Sequence, residues 1–171
     1  MSARRPRAGL VTEVRVGVVD VFVIRIVRRS WRVLTLRRGR GTRSTGSWET
    51  VHGRIEPGET PPEAARRELH EETGLEADRL YSITVNPFYL HQTGTVQLAV
   101  VFAAIVRSSA VRTGPEHDRH EWRTVAGAAR RFAWPREVEA LRQVRTLLRN
   151  GEAGAVEDVL LITKGRTRRV Q

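Results

Sequence analysis

Three glutamates raise the first chemical question, because Glu68, Glu71 and Glu72 stand at i, i+3 and i+4 in the segment RELHEET. On a helix they fall within one arc of about 100°. Like charges at that spacing repel by roughly 0.2–0.5 kcal/mol per neighbouring pair. A hard cation removes the repulsion, and a set of oxygen ligands suits Mg2+ or Mn2+. Taken alone, an acidic helix face reads equally well as a solvated surface. The turn Glu56-Pro57-Gly58-Glu59 ahead of it tips the balance towards metal. It leads straight into the helix and brings a strand-end carbonyl near His52–Gly53 towards the carboxylates, adding a neutral oxygen ligand.

The elements that must position these groups are readable from local chemistry. Thr60-Pro61-Pro62-Glu63 sets threonine as N-cap, proline at the first helical position and glutamate at the third, the signature of a capping box. Gly74 suits the residue just past the helix end. Ala65 and Leu69 give this helix an apolar stripe beside the acidic one, and Glu63 and Arg67 make an i,i+4 pair. A second helix is expected from Trp134-Pro135 to Asn150-Gly151, with Val138, Leu141, Val144 and Leu148 at helical spacing, and a shorter one over Val125–Arg131. Strands are expected at Val14–Val27, Trp31–Leu36, Ser82–Tyr89 and Thr95–Val106, the first and last apolar enough to be covered on both faces. The alternation predicts an α/β or α+β layered domain.

The segment Gly53–Leu75, GRIEPGETPPEAARRELHEETGL, is identified as a Nudix box. Gly53, Glu59, Arg67-Glu68-Leu69, Glu71-Glu72 and Gly74-Leu75 occupy every specified position. A chance match of this kind is on the order of one in ten million at average residue frequencies. The basic Leu36-Arg37-Arg38, Trp48, a terminal helix, and Glu116 six residues before Trp122 extend the resemblance. It implies an α/β/α sandwich with a mixed central sheet, in which the box forms a loop-helix-loop. It also implies a hydrolase that splits a phosphoanhydride bond by water attack. Glu68 and Glu72 would be primary Mg2+ ligands (Mn2+ being the alternative), joined by Glu71 and the main-chain oxygen of His52. Arg67 and Glu59 would orient the site. The proton of the attacking water would go to Glu68, Glu71 or Glu116, the last on a loop.

Composition bounds the remaining readings. The chain has 171 residues with a net charge of +11, ordinary hydrophobic content and no cysteine, so disulfides, thiolate metal sites and cysteine nucleophiles are excluded. The cations are nearly all arginine and dispersed along the chain, which weighs against a dedicated nucleic-acid patch, although a basic field attracts polyphosphates. No apolar run reaches the ~18–20 residues that span a bilayer. Leu10–Val27 is broken as a signal core by Glu13, Arg15, Asp20 and Arg25. A cytoplasmic protein is expected, with residues 1–9 and 165–171 as flexible basic ends around a single domain over 10–164. A homodimer is a further expectation.

Substrate contacts are assigned more loosely. Arg37 at a strand end and, behind it, Arg15 are candidates for phosphate; Trp48 is a candidate for stacking on a base or pterin. Each has an ordinary alternative as a surface arginine or a half-buried strand tryptophan. His91, His117 and His120 lack zinc spacing and read as surface or loop residues. Within the family, Trp48-Glu49-Thr50-Val51-His52-Gly53 is similar to the approach to the box in dihydroneopterin-triphosphate and nucleoside-triphosphate pyrophosphatases. His91, Tyr89 and Pro87 do not fit the positions expected after the box for the ADP-ribose or dinucleoside polyphosphate subgroups. A small triphosphate, cut to monophosphate and pyrophosphate, is therefore expected. An enzyme trimming RNA 5′ ends and a non-catalytic ligand sensor are the alternatives, the sensor disfavoured by the intact glutamates.

Overall fold

The structure is a computed structural model that describes residues 11–162. The basic ends expected at 1–9 and 165–171 lie outside the described residues. Strand β1 (Val14–Val27) is the spine of a mixed sheet. Along one edge it pairs in parallel with β6 (Thr95–Ile105), which pairs antiparallel with β5 (Arg79–Leu90). Its other edge is shared. The hairpin partner β2 (Ser30–Arg38) covers Ile24–Val27, whereas β4 (Val51–Arg54) covers Val18–Val21. The short β3 (Trp48–Glu49) pairs instead with Leu36 and Arg37 of β2. The chain from Trp48 to Arg54 thus enters where β1 and β2 diverge, pairing first with one and then with the other.

The sheet is covered on both faces because alternate side chains point opposite ways. On one side Phe22, Ile24, Val33, Tyr81 and Val101 pack with Leu141 and Val144 of α3 (Pro135–Leu147), with Leu148 at its C-cap and with Ala128 of α2 (Val125–Arg131). On the other, Val19, Val21, Val23, Leu34 and Phe102 pack with Ala64, Ala65 and Leu69 of α1 (Pro61–Thr73). The result is the expected α/β/α sandwich. Among the described residues no helix is long and apolar enough to cross a membrane.

Helix α1 begins and ends as its caps dictate. The Glu63 carboxylate accepts the Thr60 N–H at 2.8 Å, and Gly74 closes the helix in the left-handed conformation at φ 69°. One element differs from expectation. His117–Arg123, where no strand was expected and His117 and His120 read as surface or loop residues, forms strand β7, paired antiparallel with β2. Its alternating charges hid it from a hydrophobic pattern, and charged residues are what an outer strand tolerates.

Candidate active site

The meeting of β4 and α1 follows from strand geometry. The Ile55 N–H donates to the Gly17 carbonyl at 3.0 Å, in the same register that sets Val19 opposite Gly53 and Asp20 opposite His52. Antiparallel pairs alternate between hydrogen-bonded and open positions. His52 and Arg54 hold open positions, so their main-chain groups turn away from β1. The Arg54 carbonyl accepts from Arg67 of α1 at 2.8 Å, and the His52 N–H reaches the Glu72 carboxyl. Gly53 completes the approach. A Cβ there would lie 1.8 Å from Cδ of Glu68, so only glycine lets that carboxylate rest against β4.

Two arginines organise the carboxylates. All five N–H groups of Arg67 are used: two on Glu59 (2.9 Å each), one on Glu68 (2.7 Å), one on Glu71 (3.1 Å) and one on the Arg54 carbonyl. Arg38 pairs with Glu49 at 3.1 Å and with Glu116 at 3.0 Å. His117 sets its Nε2 3.1 Å from the same Glu49 oxygen. Those two partners hold the Glu49 carboxyl below its ordinary value although burial pushes it up.

Glu72 has neither arginine. Its side chain is buried, Oε2 finds no hydrogen-bond partner among the described residues, and the carboxyl is raised well above its ordinary value by burial and then by the charges of Glu68 and Glu49. Glu68 is raised too, chiefly by burial, with Arg67 opposing the rise. Six carboxylates therefore gather around two guanidiniums, and one of the two buried ones, Glu72, is left unpaired. Uncompensated buried charge of this kind calls for a proton or a cation. A divalent cation fits: its ligands would be hard oxygens, and binding would release the proton from Glu72. Among the described residues no three His, Asp or Glu side chains are already drawn into a cage, because Arg67 and Arg38 hold five of the six carboxylates.

The remaining expected contacts are placed differently. Arg37 is engaged by Asp118 at 2.7 Å, and it is its neighbour Arg38 that faces the acidic group. Trp48 is buried, with the Arg131 guanidinium 4.3 Å from its ring centroid, so it packs the sheet rather than offering a face for a base. Arg15 pairs with Glu13 on an exposed stretch of β1, about 16 Å along the strand from the residue opposite His52. His117, expected at the surface, is buried against Glu49. Sequence reasoning also missed Glu49 itself and the Asp20–His52 pair, whose Oδ1 and Nδ1 lie 2.5 Å apart with Arg136 on the other Asp20 oxygen. A lone acid inside an otherwise apolar strand, as at Asp20, was the available signal. The loop after β6 brings Glu116 in by tying its backbone to the end of α1: Arg112 and Gly114 donate to the carbonyls of Thr73 and Glu72.

A family model for the NUDIX domain matches residues 16–144. The chain belongs to the Nudix family. A MutT-like protein of Streptomyces ambofaciens is 32% identical over 124 residues, covering 71% of this chain and 72% of that protein. An octanoyltransferase of Myxococcus xanthus is 43% identical over 117 residues, which are 67% of this chain but 32% of the relative, so the chain spans about a third of its length. A CTP pyrophosphohydrolase of Escherichia coli is 38% identical over 55 residues, 32% of this chain and 41% of that protein. In fold, the MutT protein of Methanosarcina mazei matches with a TM-score of 0.65 at 23% identity, over 80% of this chain and 97% of that one. The E. coli dihydroneopterin triphosphate pyrophosphohydrolase matches with a TM-score of 0.59 at 23% identity, over 77% and 96%. These structural likenesses concern the fold. The Nudix box is the Gly53–Leu75 segment whose loop and helix carry Glu59, Arg67, Glu68, Glu71 and Glu72.

Proposed function

We propose that this Nudix domain is a Mg2+- or Mn2+-dependent pyrophosphohydrolase that splits a (deoxy)nucleoside or pterin triphosphate into monophosphate and pyrophosphate. The observation that carries the reading is the unpartnered, buried Oε2 of Glu72, set on the helix that presents Glu68 at Gly53. The likeness to a CTP pyrophosphohydrolase supports the substrate class. In this reading Glu68, Glu72 and the main-chain oxygen of His52 hold the metal, with Glu71 as a further carboxylate. The metal supplies charge neutralisation of the phosphates and a lowered pKa for the attacking water. Arg67 and Glu59 keep Glu68 and Glu71 on the correct edge of α1. Glu116, exposed and paired with Arg38, is the acid that takes up the water's proton. Arg38 counters the charge of Glu49 and Glu116, so that a polyanion can approach.

Hydrolysis of a nucleoside or pterin triphosphate is expected to require Mg2+ or Mn2+ and to stop in excess chelator, with 18O from labelled water entering one product only. Undiminished turnover in chelator would sink the metal assignment. Glu116→Gln is expected to lower kcat by about 10²-fold, the lower range for a group moving a proton in the transition state, with a much smaller change in KM. A kinetically silent Glu116→Gln would leave the helix carboxylates as the only acceptors.

A further inference from the structure

The arginines that look dispersed in the sequence are not all dispersed in space. The β1–β2 hairpin turns on Arg28 and Arg29, and next to it lies the C-terminal end of α3 with Arg145 and Arg149. Two adjoining depressions, of about 500 and about 340 Å³, share Arg29, Trp31 and Arg145 as lining. One runs on to Arg149 and Asn150, the other to Arg32 and Thr124. Among the described residues none of Arg28, Arg29, Arg32, Arg145 and Arg149 has a carboxylate partner. The nearby acids are engaged elsewhere: Glu121 with Arg119, Arg123 and Arg131, Glu139 with Arg142, and Glu152 with Arg79.

Two details set this surface apart from an arginine-rich exterior in general. Arg28 and Arg29 both hold positive φ, 47° and 66°, in a turn where Asn or Gly would relieve a cost of about 1–2 kcal/mol per residue. Long cationic side chains thus stand where the backbone disfavours them. Arg145 also stacks on Trp31, 4.7 Å from the ring centroid, so the one aromatic face in the groove is covered. That leaves an open, elongated track of guanidiniums with no platform for a base and no apolar cavity for a small ligand.

We infer that this track binds the phosphate backbone of a nucleic-acid strand, independently of base sequence. The surface lies at the far end of the sheet from the Nudix box. Beyond Asp20, opposite His52, seven residues of β1 run to its end at Val27, just before Arg28, or about 23 Å of strand. It is thus a second anion site and no part of the hydrolytic one. Arginines line both joined depressions, Arg29, Arg145 and Arg149 in one and Arg29, Arg32 and Arg145 in the other, so a chain of phosphates can engage more of them than a single inorganic phosphate can.

The test is fluorescence anisotropy of the full chain with a labelled 20-nucleotide single-stranded RNA lacking a 5′ triphosphate, titrated between 50 and 200 mM salt. The triple variant Arg28→Gln/Arg29→Gln/Arg149→Gln leaves Arg145 on Trp31. It is expected to bind at least tenfold more weakly at 50 mM salt, and its slope of log K against log salt should be shallower by about 2, three phosphates at about 0.7 each. The lysine triple variant should keep the wild-type slope, since the contact is one of charge. Turnover of a small triphosphate and the melting temperature should match the wild type in both variants, so failure of this site and failure of the hydrolytic assignment remain distinguishable. An unchanged affinity and slope in the glutamine variant, a wild-type chain that binds no RNA at 50 mM salt, or a loss of turnover in the lysine variant would each overturn the proposal.

Discussion

Glu72→Gln is expected to lower kcat by about 10²–10⁴-fold, the span seen for groups acting at a reacting centre, while the protein remains folded. The reason is that Glu72 is the most buried of the box carboxylates and has no cationic partner among the described residues. Its burial also makes a thermodynamic prediction. The folded-state carboxyl titrates well above 4.5, its value in an exposed chain. Between those two values the folded protein holds a proton that the unfolded chain has released. In chelator, wild-type stability should therefore fall as pH rises above about 4.5, until the folded-state value is passed. Glutamine cannot ionise, so the variant should lack this fall and match or exceed the wild type at pH 8. Melting curves at pH 5 and pH 8 in chelator, beside kcat with Mg2+, check both halves. Near-wild-type turnover in Glu72→Gln would remove it from the site whatever the melting curves show.

Gly53→Ala should disable the enzyme with a far smaller effect on the fold. The added methyl would meet Cδ and Oε1 of Glu68 at 1.8 and 2.0 Å. Gly53 does not hold a positive φ, so alanine costs the backbone little. The atoms that must yield belong to the end of a flexible side chain, and Glu68 can swing aside. What is lost is its place against β4 at Gly53. A displacement of about 1 Å at a reacting centre costs on the order of 10²-fold in rate, and kcat should fall by at least that much. The melting temperature should move only slightly, and more Mg2+ should be needed for half-maximal rate. Wild-type kinetics in Gly53→Ala would show that Glu68 does not act from beside Gly53.

Much of the fold was written in local chemistry. The Thr60–Glu63 cap, the stop at Gly74 and the Ala65–Leu69 stripe each act over a few residues, so α1 could be placed from the sequence. β1 and β6 were visible because a strand covered on both faces is apolar throughout. β7 was not, because an outer strand such as HDRHEWR carries its pairing in the backbone and leaves its side chains polar. The insertion of Trp48–Arg54 between β1 and β2 was equally hidden, since pairing partners far apart in the chain leave no periodic trace.

By itself the sequence determined that Glu68, Glu71 and Glu72 share one helix face behind a turn, and that the box belongs to a known family. Spacing along a helix is a local property. Only the tertiary structure decided which of these carboxylates is dehydrated and which is held by an arginine. Glu71 stays exposed on Arg67, Glu68 lies in the crevice at Gly53, and Glu72 is enclosed with Glu49 and His52 as neighbours. It likewise set Trp48 under Arg131, paired Arg37 with Asp118, turned Arg38 to Glu49 and Glu116, and brought Arg29, Arg145 and Arg149 around one depression at the opposite end. Charge strength in a protein depends on the exclusion of water and on the nearest opposite charge. Both are set by residues that meet only when β1, β2, β4 and the helices close around one another.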